Sequence, residues 1–237
     1  MVQERFNPQS KAVVEQVPPL ESGDRLPRPE FEHRYTASTH IKKAELIEGI
    51  VYVASPLRHT QHGKPHSRVM TWLGIYQALT PGVDLSVEPT VRLDLDNEPQ
   101  PDAVLFIESA VGGQTKLSSD GYIEGAPELI VEIAATSVAI DTGGKKQAYR
   151  RNGVLEYLVW HAYENQFEWF RLIDGEYQLL SPDANGVIRS QVFPGLWLSV
   201  NALLANQMAQ VLEVAQQGIT SPEHQAFVEQ LGLGQQS

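Results

Sequence analysis

Three side chains in this chain could do chemistry together: Asp102, Glu132 and Lys145. The two acids lie in QPDAVLFI (100–107) and PELIVEIA (127–134), stretches that are otherwise apolar on both faces. Strand alternation puts Asp102 on one face with Val104 and Phe106, and Glu132 with Ile130 and Ala134. A carboxylate in such a central strand loses its hydration and needs compensation. A divalent cation is one compensation, because hard carboxylate oxygens suit Mg²⁺ while water or phosphate oxygens complete its octahedron. The structural alternative is that Asp102 caps a turn after Pro101 and Glu132 ends a strand paired to an arginine.

The lysine belongs to KKQAYRRNG (145–153), which reads as a brief helix closed by Asn152-Gly153. Asp141, Lys145 and Tyr149 recur every four residues, so in a helix that begins early Lys145 and Tyr149 share a face, with Lys146 and Arg150 on the adjacent row. Beside a bound metal, a lysine steadies developing negative charge and helps to orient or deprotonate an attacking water. Taken alone, the same residues are a solvated basic face. His62 and His66 also stand four apart, but no third ligand and no zincin glutamate accompany them, and Pro65 suits a first helical turn. Packing or lining a cleft is the better reading of His66.

These residues must be positioned by strands and a few helices. AELIEGIVYVASP (44–56) is strand-like, HGKPHSRVMTWLGIYQAL (62–79) an amphipathic helix, and LSVEPTVRLDLDNEP (85–99) alternates as a half-buried strand. A long Gly-rich connection joins the two acid-bearing strands. LEYLVWH and QFEWFRL follow, split by the turn AYEN, then EYQLL, VFPGLWLSV and a closing helix over 201–217. The class is α/β (α+β), with a central mixed β-sheet flanked by helices. Residues 1–30, with five prolines, read as a flexible arm, 31–217 as the domain and 218–237 as a C-terminal tail that is mobile or weakly helical. The glycine pairs 112–113 and 143–144 read as turns. Tyr157, Trp160, Trp169 and Phe170 are core or interface. Together with the arm and the closing helix they lead us to expect a two-fold homodimer.

Composition excludes several classes. The absence of cysteine removes disulfides, thiolate metal sites and a Cys nucleophile. A net charge of −11 argues against a general nucleic-acid coat, so any basic surface is local. With neither a signal-peptide pattern nor an apolar run of membrane-spanning length, the expectation is a cytoplasmic protein without a membrane partner.

Across about residues 33–200 the chain resembles the Uma-type restriction endonuclease family of the PD-(D/E)XK nuclease superfamily. The resemblance rests on AELIEGIVYVASP, QPDAVLF, APELIVEIAATS, IDTGGKKQAYRRNGVLEYLVW and VFPGLWL in that order. It implies a restriction-endonuclease-like fold, with Asp102 and Glu132 as metal ligands, Mg²⁺ or Mn²⁺ as cofactor and DNA as substrate. Ala134 stands where the superfamily usually has its lysine, and Ala135-Thr136-Ser137 replaces the usual Ser-Pro-Ser. The resemblance therefore implies that Lys145 supplies the amine from the following helix, with Lys146 as the alternative donor. Glu48 matches a further acidic position, a third metal acid or a turn residue before Gly49. The displaced lysine also leaves open a catalytically inactive nuclease-like binding or assembly module.

Overall fold

The computed structural model describes residues 17–55, 58–135 and 137–234. In chain order its elements are α1 (Arg28–Ala37), β1 (Ala44–Ile47), β2 (Ile50–Val53), α2 (Lys64–Ala78), β3 (Val83–Val87), β4 (Val91–Arg92), β5 (Ala103–Ile107), β6 (Lys116–Leu117), β7 (Ile123–Glu124) and β8 (Leu129–Ala134). The second half continues with α3 (Val138–Ile140), α4 (Lys146–Asn152), β9 (Glu156–His161), β10 (Gln166–Ile173), β11 (Glu176–Leu179), β12 (Val187–Arg189), β13 (Trp197–Ser199), α5 (Val200–Leu204), α6 (Met208–Ile219) and α7 (Pro222–Gly234).

The main sheet has six strands in the order β11-β10-β9-β8-β5-β3. β8 and β9 run parallel, and every other adjacent pair in it is antiparallel. Strands β5, β8 and β9 are therefore interior, which is why they read as nearly continuous apolar runs. Leu105, Leu129, Val131, Leu158 and Trp160 on one face pack against α2 and α6. The period of 3.6 in α2 aims Val69, Trp72, Leu73 and Tyr76 at that core, and Trp72 Nε1 donates to the Trp197 carbonyl at 2.9 Å. Val104, Ile130, Tyr157 and Phe170 form the opposite face, where Tyr149 of α4 and Val91 and Ile123 of a small sheet complete a second core. A third cluster, including Leu20 and Phe31, lies under the β1–β2 hairpin.

Several expectations change. The alternation over 85–99 is not one strand: Glu88 takes a positive φ of 49° and Pro89 lacks an N–H, so β3 and β4 join different sheets. Residues 17–30, expected within the flexible arm, pack on the hairpin: Leu20 is buried, and Gly23 and Leu26 donate to the Val51 and Gly49 carbonyls at 2.8 and 2.9 Å. The rest of that arm, residues 1–16, lies outside the described residues, as does Thr136. The expected tail carries helix α7, with His224 and Leu231 buried. Tyr157, Trp160, Trp169 and Phe170 are all interior, so the rings that suggested a dimer pack within one chain. Among the described residues no helix is long and apolar enough to cross a membrane.

One buried acid sets a pH dependence of stability. Glu98 exchanges two backbone hydrogen bonds with Leu46, at 2.8 and 3.1 Å, which carries its side chain inside beside Glu32 and Arg92. Burial first, then the Glu32 carboxyl, push its pKa up to about 8. The folded state therefore keeps a proton that the unfolded chain loses near the ordinary carboxyl value. That contribution is complete below the ordinary carboxyl value and is lost as pH climbs from there through about 8. Glu98→Gln should flatten this part of the slope and exceed the parent in stability above that pH, as measured by urea unfolding across the range.

Candidate functional site

The register of β5 on β8 pairs Ala103 with Val131 and Val104 with Ile130, so one step further along Asp102 stands opposite Glu132. Both point to the sheet face shared with Val104 and Ile130, as strand alternation requires. They open on a cavity of about 220 Å³ that Lys145, Glu45, Tyr52 and Lys43 also line. Asp102 and Glu132 are only 4% and 3% exposed, so what surrounds them decides their charge.

After β8 the chain turns into a continuous helical run, α3, a π-helical turn over Asp141–Lys145, and α4. This run lies back over the strand end and brings Lys145 Nζ to 3.1 Å from Glu132 Oε1, 2.8 Å from Glu45 Oε1 and 3.5 Å from Asp141 Oδ1. One turn later, Tyr149 OH donates to the same Glu132 oxygen at 2.7 Å. Gly153, at φ 85°, closes α4. The glycine pair 143–144 lies within the π turn, where a Cβ on Gly144 would meet Ile47 Cγ2 at 3.1 Å. Close approach of this turn to the hairpin is what a glycine allows there.

A second π turn, His59–Gly63, precedes α2 and delivers His62 into the site. His62 Nε2 lies 2.8 Å from Asp102 Oδ1, and the Ile133 N–H donates to Asp102 Oδ2 at 2.6 Å. His66 Nε2 lies 3.0 Å from the Asp102 carbonyl oxygen. The two histidines thus serve one aspartate. Their four-residue spacing is the only trace of this in the sequence, and it points to a shared metal sooner than to the carboxylate and the main-chain carbonyl of one residue. Glu45 leaves no trace of its role in the sequence. Its neighbour Glu48, singled out in the sequence, has φ 53° in the hairpin turn and forms a two-bond ion pair with Arg151 at 2.7 and 2.8 Å, outside the cavity. Lys146 also points elsewhere, its Nζ 3.4 Å from the centre of the Phe170 ring.

Electrostatics follow from this crowding. Burial alone would raise Asp102, but the His62 hydrogen bond and charge, the Ile133 N–H and the Lys43 ammonium hold it below its ordinary value. Glu132 is pushed well above its ordinary value by burial and by the carboxyls of Asp141, Asp102 and Glu45, against the opposing pull of Lys145. Burial works against the Lys145 ammonium, yet Glu132, Glu45 and Asp141 hold it charged well beyond the usual range. Asp141 is raised, chiefly by burial. A single ammonium faces three crowded carboxyls, two of them buried and Glu45 half-buried, and their mutual repulsion adds to burial in disfavouring the charged form of Glu132.

The donor set fits a hard divalent cation. Both hydrogen bonds to Glu132 fall on Oε1, which leaves Oε2 without a donor among the described residues, and each Asp102 oxygen retains a lone pair. No group of three or more His, Asp or Glu side chains is arranged to hold a metal among the described residues. A cation here would thus have two carboxylates from the protein and otherwise water or phosphate oxygens, a pattern suited to Mg²⁺.

Comparison with known proteins adds to this geometry. The sequence profile of the Uma2 family, described as "Putative restriction endonuclease", matches residues 28–201. A crystal structure of "a putative nuclease belonging to DUF820", from Anabaena variabilis, shares the fold with a TM-score of 0.54 at 16% identity, over 73% of this chain and 96% of that one. The restriction-endonuclease-like fold with its mixed central sheet is therefore as expected. No curated protein matches the chain.

Removal of the central cation tests the electrostatics without any substrate. Lys145→Met should cost about 3–5 kcal/mol of stability in mildly alkaline solution, the usual range for stripping one partner from a buried ion pair. The deficit should shrink as pH falls, because the abandoned carboxyls then protonate. Urea unfolding of the variant and the parent at both ends of the range measures this.

Proposed function

The chain belongs to the Uma2 family, and from that premise and the geometry of the cavity we propose that it is a Mg²⁺- or Mn²⁺-dependent endonuclease hydrolysing DNA phosphodiester bonds. The observation that carries this reading is the convergence of Asp102, Glu132 and Lys145 on one cavity from three separate segments. Asp102 and Glu132 would hold the metal, which supplies Lewis-acid polarisation of the phosphate and a more acidic water. The chain's own residues do the remaining work. His62 and the Ile133 N–H fix the Asp102 carboxylate in its charged form. Tyr149, whose hydroxyl is held neutral by burial and by Glu132, orients that second carboxylate as a donor.

Lys145 acts as an ammonium. Its environment holds the proton firmly, so it steadies charge on the phosphate oxygens and orients the attacking water, and does not abstract a proton itself. The competing reading, a nuclease-like scaffold that binds without cutting, draws on Ala134 in place of the strand lysine. Lys145 lies within hydrogen-bond distance of Glu132 from the neighbouring helical turn, which supports the catalytic reading.

Cleavage of DNA, RNA and small phosphodiesters in Mg²⁺ and in Mn²⁺ tests the proposal. Asp102→Asn should abolish both turnover and saturable metal binding by calorimetry. Lys145→Met, assayed where it remains folded, should keep metal binding and lose at least about 100-fold in turnover. Lys146→Met should leave turnover within a few-fold, since its ammonium rests on Phe170. Metal binding by the parent with no cleavage of any phosphodiester would favour the scaffold.

A further inference from the structure

A larger basin adjoins the cavity at Asp102 and Glu132. It encloses about 800 Å³ and has Leu20, Ile41 and Val53 among its walls. Lys43, Val53, Ala54 and Ser55 line both spaces, so the two form one continuous depression along the end of the β1–β2 hairpin.

Charge and shape together restrict what this basin takes. Lys43 stands at the junction, half-buried, and neither it nor exposed Lys42 has an ion-pair partner among the described residues. Most other cations near the site are paired: Lys145 with its carboxylates, Arg151 with Glu48 and Arg150 with Glu176. A phosphate placed next to the scissile one would therefore find its counter-charge at Lys43, whose ammonium acts on Asp102 without forming an ion pair with it. The base attached to that nucleotide would then turn into the apolar basin, with the Glu21 and Glu88 side chains available as acceptors for base N–H groups. In a duplex that base is stacked and paired, and cannot enter without being extruded.

We propose that the basin is a nucleobase subsite, so that the preferred substrate is single-stranded or locally unpaired nucleic acid with its flanking phosphate on Lys43. This inference rests on the nuclease reading above, which identifies the smaller cavity as the place of the scissile phosphate. The −11 net charge is consistent with it: one base lodged in an apolar basin supplies affinity that a broad cationic track for duplex DNA would otherwise have to provide.

Fluorescence anisotropy tests it with a labelled single-stranded deoxyoligonucleotide, its ribo counterpart and the deoxy duplex, in EDTA and again in Ca²⁺. Either single strand should bind at least about tenfold more tightly than the duplex, the deoxy and ribo arms showing which sugar is preferred. Ala54→Trp, at an exposed position on the shared wall, should remove that advantage. An abasic site scanned along the strand should weaken binding at one position in the parent and not in this variant. As a second variant, Lys43→Met should lower affinity and reduce the salt slope by about one phosphate contact. Duplex binding that equals or exceeds single-strand binding, or single-strand binding unchanged by Ala54→Trp, overturns the subsite and leaves the nuclease reading intact. The expected binding pattern without cleavage in Mg²⁺ or Mn²⁺ keeps the subsite and overturns the nuclease reading. A smaller mass by light scattering for Ala54→Trp would make the basin a contact between copies and overturn the proposal.

Discussion

One ammonium holds three parts of the molecule together. Lys145 reaches Glu45 on β1, Glu132 on β8 and Asp141 on its own helical turn, all within 3.5 Å. Crowded carboxylates repel one another in an interior of low dielectric, so without this cation they would have to take up protons or move apart. The arrangement also explains why Gln100, just before β5, donates its N–H to Glu45 Oε1 at 2.7 Å. The hairpin is tied to the segment that leads through Asp102 into β5 as well as to the helical turn that carries the lysine.

A buried acid by itself does not mark a candidate site in this fold. Glu128 accepts the Ile107 and Gln114 N–H groups at 2.9 and 3.0 Å and so fixes both ends of the turn after β5. Glu156 accepts from Trp169 Nε1, Ser190 Oγ and the Gln191 N–H, at 3.1, 2.8 and 2.8 Å, and fastens the β10 and β12 regions to β9. In each case neutral donors from the fold occupy both oxygens. Glu132 differs: its donors crowd onto one oxygen, and the space beside it is a cavity. The distinction lies in how hydrogen-bonding capacity is distributed, which depth of burial does not reveal.

That distinction also marks where the sequence was legible. Alternation in QPDAVLFI and PELIVEIA correctly put both acids on the face shared by Val104 and Ile130, because strand period depends only on local backbone geometry. The spacing of Lys145 and Tyr149 likewise put both on one helix face, and in the structure both reach Glu132. Glu45 and Glu48 were beyond such reasoning. Which face of a two-stranded hairpin meets the main sheet is a tertiary fact, and the left-handed backbone at Glu48 turns that side chain toward Arg151. The break at Glu88-Pro89 was hidden for a related reason: polar and apolar residues continued to alternate through a bend that moves the chain from one sheet to another. Helix α7 was obscured by glutamine-rich composition, although it buries His224 and Leu231.

Two of the side chains that meet at the site come from the same kind of irregularity. His62 and Lys145 each sit in a five-residue π-helical turn at the start of an α-helix. Such a turn accommodates one residue more than regular α-helix, and each residue added rotates the downstream helix by about 100°. At these two places the length of the chain thus decides what faces the cavity as much as the identity of a side chain does. A one-codon insertion at a helix entrance can swing an existing lysine or histidine from solvent into a pocket while the packed side of the helix is kept by the local widening. One residue fewer at either turn would swing His62 away from Asp102, or Lys145 away from Glu132, with every side-chain identity unchanged.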